Sequence, residues 1–241
     1  MDRITSDLVA NGSIMKSQVD RLIAKGLDSS LILRDITISG FMTMDRLVLF
    51  IVDKIQSGEY GLSIIDNYDY IQEKDVLEKL AQRQNLLFLD LDSMDMEYKL
   101  MEKVSISQLK KYHALPISED DLSITIAFND PLNIEAQESI QRLFPRKPIK
   151  IAVATKKQIE SYLFKVELKD SVKGLVKKIR EELNSISSMD EQQEASSILM
   201  LIDVILNACI KGRASDVHIE PTEKNCVVRT RIDGKLIDIY F

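Results

Sequence analysis

Three arginines stand close together near the end of the chain, Arg213, Arg229 and Arg231, and among them lie Asp216, His218 and Glu220. A guanidinium does not lose its charge, and its planar fork of donors matches the paired oxygens of a carboxylate or a phosphate. Such a cluster could meet an anion, or be neutralised at the surface by Glu220 or Glu223. His218 reads as a packed, hydrogen-bonded strand residue, and Asp216 as a residue that caps or pins the loop after Gly212. His113, the other of the 2 histidines, has no second ligand at metal spacing. No catalytic residue and no metal ligand is expected.

The elements that must position these side chains follow from the pattern around them. Asp216 to Glu220 alternates apolar and polar residues as a half-buried strand does, and Pro221 ends the ladder for want of an N–H. Val227 to Ile232 alternates again, with Val228, Thr230 and Ile232 on one face and Val227, Arg229 and Arg231 on the other. Asp233-Gly234 is a strong hairpin signal, since both central positions of a type I′ turn take positive φ, and Lys235 to Phe241 reads as the return strand. Ahead of the strands, Ile198, Leu201, Ile202, Ile205 and Cys209 mark one buried helical face, and Gly212 is a natural helix stop. The return strand carries Ile237, Ile239 and Phe241 on a face that nothing later in the chain covers. The sequence is therefore expected to be the front part of something longer.

The two blocks ASDVHIEP and RTRIDGKL, in this order and spacing, resemble the type II secretion and type IV pilus assembly ATPases, the GspE/PilB-like family. The resemblance implies that residues 198–241 begin a PAS-like α/β domain, the second N-terminal domain, which precedes a RecA-like motor. In that family arginines of this domain reach a nucleotide bound on a neighbouring motor subunit. Arg229 and Arg231 match the family block, and Arg213 lies beside it, so these are the candidate nucleotide-contacting residues. The family's cofactors are ATP and magnesium, both bound by the motor. Here none of the 8 glycines forms the phosphate-cradling GxxxxGK[ST], and Gly234-Lys235 is followed by Leu236. No Walker B motif and no zinc-binding tetracysteine is present either, so this chain alone is not expected to hydrolyse ATP.

Composition bounds the rest. The 241 residues can bury a real core, as one large domain or two small ones, and 45% apolar with 29% charged residues is ordinary for a soluble globular protein. A net charge of −6 argues against a nucleic-acid partner. The 2 cysteines, Cys209 and Cys226, form no CxxC and read as reduced, half-buried thiols. No apolar run approaches the roughly eighteen residues of a membrane span, and the start lacks a signal-peptide core. A cytoplasmic chain without direct membrane insertion is expected, and the family resemblance implies that it is peripheral to the inner membrane through its partners.

The first hundred residues carry an internal repeat. One copy runs from Arg3 through Leu8-Val9 and Gly12 to Leu22, and a second from Leu31 through Gly40 to Ile51, so that the two glycines are offset by twenty-eight positions. A weaker third copy runs from Ile64 to Leu80 without the glycine. Each reads as two short helices about a turn, with Gly12 and Gly40 left-handed at a helix C-terminus. The first two copies resemble the tandem cyclic di-GMP motifs of the MshE-like branch. Arg3, Leu8, Val9, Gly12 and Ile14 match in the first copy, and Gly40 and Leu47 in the second. Leu31 stands where the second arginine belongs, Thr5 and Leu33 replace early glycines, and Gly26 and Lys54 replace glutamines. A helical scaffold without nucleotide is the expected outcome, with cyclic di-GMP held at Arg3, Gly12 and Gly40 as the competing one.

Asp75 to Gln84 reads as a helix, and Asn85 to Leu91 as a strand with Leu86–Leu89 buried. Val104 to Lys111 is helical by pattern. Leu122 to Phe128 alternates as a strand after an exposed Asp120-Asp121 hairpin tip. Asp130 as N-cap and Pro131 at the first turn open a helix through Phe144. Ile149 to Ala154 is a strand, and Lys157 to Phe164 a helix. The ALP and AFNDPL patterns extend the family resemblance over this stretch. Lys169 to Leu183 has a narrow apolar stripe and reads as a helix, while Asn184 to Ser197 looks like a flexible connector. The fold class expected is α/β (α+β). It begins with a helical repeat-like start and a small α/β domain over 1–165, the MshE-like first domain. A helical and polar linker follows over 166–197, and then the incomplete second domain.

The functional reading is an N-terminal docking and regulatory portion of a secretion or pilus-assembly motor. By the resemblance, its partners are the cytoplasmic domain of an inner-membrane platform protein and neighbouring motor subunits. A stand-alone cyclic di-GMP-responsive adaptor and an inactive truncated gene product are the alternatives.

Overall fold

The computed structural model describes residues 2–25, 31–94, 100–101, 104–185, 191–211, 213–221, 226–232 and 234–240. The chain divides into two units: Met1–Met94 with Glu119–Lys156, and Asp95–Ser118 with Lys157–Phe241. Helices and sheets are mixed throughout, as the α/β reading expects.

The first unit opens with the repeat. Its helices are α1 (Arg3–Ala10) and α2 (Lys16–Ala24), then α3 (Ile32–Ile38) and α4 (Met44–Gln56). Gly12 and Gly40 sit at φ +75° and +73°. After α1 the Gly12 N–H reaches the Val9 carbonyl at 3.1 Å and the Ser13 N–H reaches that of Leu8 at 3.0 Å. After α3 the same pair of bonds recurs, from Gly40 to Thr37 at 3.1 Å and from Phe41 to Ile36 at 3.0 Å. These are Schellman closures, which satisfy the last carbonyls of a helix and need a left-handed residue at the glycine. Gly58, at φ +76°, ends α4 in the same conformation; the sequence reading placed no glycine turn there.

The reversals fold the apolar faces inward. Ile4, Leu8, Leu22, Ile32, Leu33, Ile36, Leu47 and Ile51 are almost fully buried in one cluster. Asp2 caps α1, accepting from the Thr5 N–H at 3.0 Å and from the Thr5 hydroxyl at 2.6 Å. Thr43 caps α4. A 3-10 turn, Leu62–Asn67, leads to α5 (Glu73–Arg83), which adds Val76, Leu77 and Leu80 to the cluster.

Asn85, at φ +53°, then turns the chain into the short strand β1 (Leu87–Phe88). Leu87 is 63% exposed, against the burial expected for Leu86–Leu89. A strand alternates faces, so four consecutive residues cannot all point into one core.

In the second unit, α6 (Ile106–Lys111) precedes β2 (Ala114–Glu119), whose last residue belongs to the first unit. Back in the first unit, which holds Glu119–Lys156, β3 (Ile124–Phe128) begins two residues later than its apolar pattern suggested. The side chain of Asp120 accepts the Leu122 and Ser123 amides at 2.8 and 2.7 Å and holds those residues in the turn. The tip is as exposed as expected, and these bonds with Lys150 keep the Asp120 carboxyl below the usual carboxylate range.

A crossover through α7 (Ile134–Leu143) leads to β4 (Ile149–Val153), parallel to β3 and also to β1. Parallel neighbours need such a crossover. The N-cap of α7 is Asn133, which accepts the Ala136 N–H at 2.9 Å. Asp130, expected in that role, instead accepts the Leu132 N–H at 3.0 Å in a local turn before Asn133.

The rest of the second unit starts with α8 (Lys156–Ser185), a single helix where two were read. Buried Val166 and Val172 carry the apolar stripe across the supposed break. α9 (Glu191–Lys211) follows, so residues 191–197, read as flexible connector, are helical. Ile205 and Cys209 are buried in it, whereas Ile202, expected on the same face, is 37% exposed. Burial raises the pKa of the Cys209 thiol. β5 (Ala214–Pro221), β6 (Cys226–Ile232) and β7 (Lys235–Tyr240) form an antiparallel sheet with β6 in the middle. Gly234 takes φ +79° at the β6–β7 turn. Asp233, Gly212, Gly26, Glu223 and Phe241 lie outside the described residues.

The glycine closures give a direct test. A Cβ at Gly12 or Gly40 would meet nothing within 4 Å, so only backbone strain opposes it. Gly12→Ala and Gly40→Ala are each expected to lower stability by about 1 kcal/mol in urea unfolding. Asparagine at either position is expected to cost less, because it tolerates the left-handed region.

Candidate functional site

The arginines sit on the outer face of the β5–β6 pair. The register sets Asp216 opposite Arg231, Val217 opposite Thr230, His218 opposite Arg229 and Ile219 opposite Val228. Residues directly opposite share a face. Val228 and Thr230 are fully buried, with Val228 packed among Val172, Ile205 and Cys209. The alternating positions must then face outward, and Asp216, His218, Glu220 and Arg231 are exposed, with Arg229 half-buried. The same rule makes the face expected to hold Val228 and Thr230 the inner one.

Each strand arginine has a carboxylate partner on β5. Arg229 Nη1 donates to Glu220 Oε2 at 2.6 Å, and Arg231 Nε lies 3.2 Å from Asp216 Oδ2. Asp216 therefore pairs across the sheet and also accepts from the Ser215 hydroxyl at 2.9 Å, while Gly212, whose loop it was expected to pin, lies outside the described residues. His218 is exposed, not packed, because its neighbours two positions away, Asp216 and Glu220, place it on the polar face. Arg213 is exposed at φ +55°, its N–H donating to the Ile210 carbonyl at 3.0 Å. It directly precedes Ala214, which pairs with Ile232, and so stands at the Arg231 end of the hairpin. The sequence reading foresaw Glu220 as a partner but missed Asp216; the strand register was the signal that could have found it.

The second set of candidates, Arg3, Gly12 and Gly40, is organised differently. Arg3 Nη2 donates to the Glu59 carbonyl at 2.8 Å, and its guanidinium lies 4.8 Å from the centre of the Tyr60 ring. Tyr60 is 3% exposed and donates its phenol to Asp7 Oδ2 at 2.5 Å. Tyr68 donates to Asp2 Oδ1 at 3.0 Å. Burial first, then the carboxylate partner, raises both phenol pKa values above the ordinary tyrosine range. Thr5, in place of a motif glycine, is fully buried against Asp2. Arg3 thus ties α1 to the segment after Gly58, while Gly12 and Gly40 serve as helix closures.

Among the described residues no group of three or more His, Cys, Asp or Glu is placed to hold a metal ion. His113 takes φ +42°, with Nδ1 3.3 Å from Glu160 Oε1. No described helix is long and apolar enough to cross a membrane.

Residues 84–171 match the MshEN domain, and residues 191–240 match the type II/IV secretion system protein family. The type IV pilus assembly ATPase PilB of Myxococcus xanthus is 27% identical over 177 residues, covering 70% of this chain and 31% of the relative. The type II secretion system protein E of Xanthomonas campestris is 23% identical over 192 residues, covering 76% and 34%. A solved structure of MshE with cdg aligns over 68% of this chain and 97% of that one at 19% identity. Its TM-score of 0.38 is too low to carry the relationship by shape. The chain spans about a third of the length of the curated relatives it matches. It carries an MshEN domain followed by a type II/IV secretion system protein segment. Both segments are similar to proteins named as type II secretion and type IV pilus assembly ATPases.

The tyrosine network predicts an alkaline weakness. A phenol whose folded pKa is raised contributes stability that is complete below the unfolded value of about 10 and is lost as pH rises past it. Thermal melts are expected to fall as pH rises through this range. Tyr60→Phe should remove part of that fall while costing about 1 kcal/mol at neutral pH, since it leaves Asp7 without its donor.

Proposed function

We propose that this chain is the docking and regulatory front part of a motor ATPase for protein secretion or pilus assembly. The observation that carries the reading is the order of the two matches, MshEN and then the secretion-system segment, with the second folded as an arginine-bearing hairpin. In this reading residues 1–165 form the first N-terminal domain, 166–197 the linker and 198–241 the start of the second. ATP hydrolysis belongs to a motor domain that uses magnesium. The chain works in the cytoplasm, held at the inner membrane by the cytoplasmic domain of a platform protein. Arg229 and Arg231, with Arg213 at the hairpin's end, face the nucleotide of a neighbouring motor subunit.

The helical repeat is a scaffold in this proposal. Arg3 is already engaged by Glu59 and Tyr60, and Leu31 stands at the position of the second motif arginine, which supports a scaffold over a cyclic di-GMP site.

Docking is tested by mixing the chain with the cytoplasmic domains of the inner-membrane platform proteins of its own bacterium. Co-elution of a complex in size-exclusion chromatography is expected, and failure to bind any of them would overturn the docking role. Calorimetry with cyclic di-GMP is expected to give no heat of binding; saturable heat that Arg3→Ala abolishes would favour the adaptor reading.

A further inference from the structure

We propose that Asp216 and Glu220 form an acidic latch that competes with an oligophosphate for Arg231 and Arg229. The inference rests on the reading that these arginines face a nucleotide, and it adds how their access is controlled. The sheet's outer face alternates in charge across the strands: Glu220 holds Arg229 at 2.6 Å and Asp216 holds Arg231 at 3.2 Å. The strand period puts both acids and both arginines on one side, while Val228 and Thr230 anchor the other side in the core.

Solvent reaches all four side chains, Arg229 and Glu220 at 38% and 50%, Arg231 and Asp216 at 45% and 51%. Exposed ion pairs are weak and screened by salt. The latch therefore exchanges readily. A single monovalent anion gains little over the carboxylate it would displace. An oligophosphate differs, because it brings several charges on one body. Arg229 and Arg231 are two residues apart on β6, so their Cα atoms are about 7 Å apart. One triphosphate chain can bridge both guanidinia, meeting each with paired oxygens. The latch thus selects for polyanions.

The test uses the full chain and inorganic tripolyphosphate as probe, with the arginine Nε–H resonances followed by NMR. In the unsubstituted protein the Arg229 and Arg231 signals are expected to shift on titration. The Asp216 and Glu220 carboxyl carbon signals should move in step as those acids are released. Asp216→Asn with Glu220→Gln is expected to tighten binding about five- to tenfold. Added Arg229→Ala and Arg231→Ala substitutions should abolish that gain. Equal affinity with and without the acids, or carboxyl signals that stay still while the arginines shift, would overturn the latch and leave the arginines as phosphate ligands. Arginine signals that do not move in either protein would overturn the phosphate-facing reading itself, and the latch with it.

Discussion

The two-residue period of the β5–β6 pair determines what this hairpin can do. Val228 and Thr230 have no solvent exposure, so these two alternate residues of β6 are committed to the core. Arg229 and Arg231 are then obliged to share the outer face, and the register brings Asp216 and His218 opposite them. A slip of one residue would bury two guanidinia, at a cost no exposed ion pair could offset. The apolar partners Val172, Ile205 and Cys209 therefore do more than stabilise the sheet. They fix which side carries the charge.

A different constraint shapes the helical start. Short helices leave carbonyls unsatisfied at their ends, and here the chain reverses at once after each. Gly12, Gly40 and Gly58 meet both demands with one left-handed residue apiece. The reversals let Leu8, Ile36 and Ile51 converge in one cluster. Arg3 is then used as a strut over Tyr60, and Asp2 and Asp7 as acceptors for Tyr68 and Tyr60. Charged groups at the start of the chain are spent on holding α1 in place.

How much of this could be read from residues alone depended on whether a single local rule decided the outcome. Gly12 and Gly40 were readable because few other residues tolerate positive φ, and the β6–β7 turn was readable for the same reason at Gly234. The strands that carry the arginines were readable from strict alternation. The misses fall where two rules compete. Residues 191–197 have a linker's polarity, yet Glu, Gln and Ala are good helix formers, and the helix forms. Asp130 and Asn133 are both able caps; the local turn at Asp130 leaves the cap to Asn133. His218 was assigned to packing by residue type, although the acids on either side of it in the alternation already placed it outside.

The same distinction separates the two candidate sites. A phosphate-binding role needs arginines whose present partners can be exchanged. Arg3 is held by a backbone carbonyl and by the face of a buried ring, and both are fixed by the fold around them. Arg3 is itself exposed, so releasing it would forfeit the Glu59 carbonyl bond and the ring contact while Tyr60 stays in the core with Leu8 and Ile55. Arg229 and Arg231 are held by exposed carboxylates on flexible side chains, which can turn away without disturbing Val228 or Thr230. Motif resemblance alone ranks the two sets of residues together. The kind of partner sets them apart: the two hairpin arginines share one strand face with carboxylates that a polyanion could displace, and it is there that the proposal places the anion.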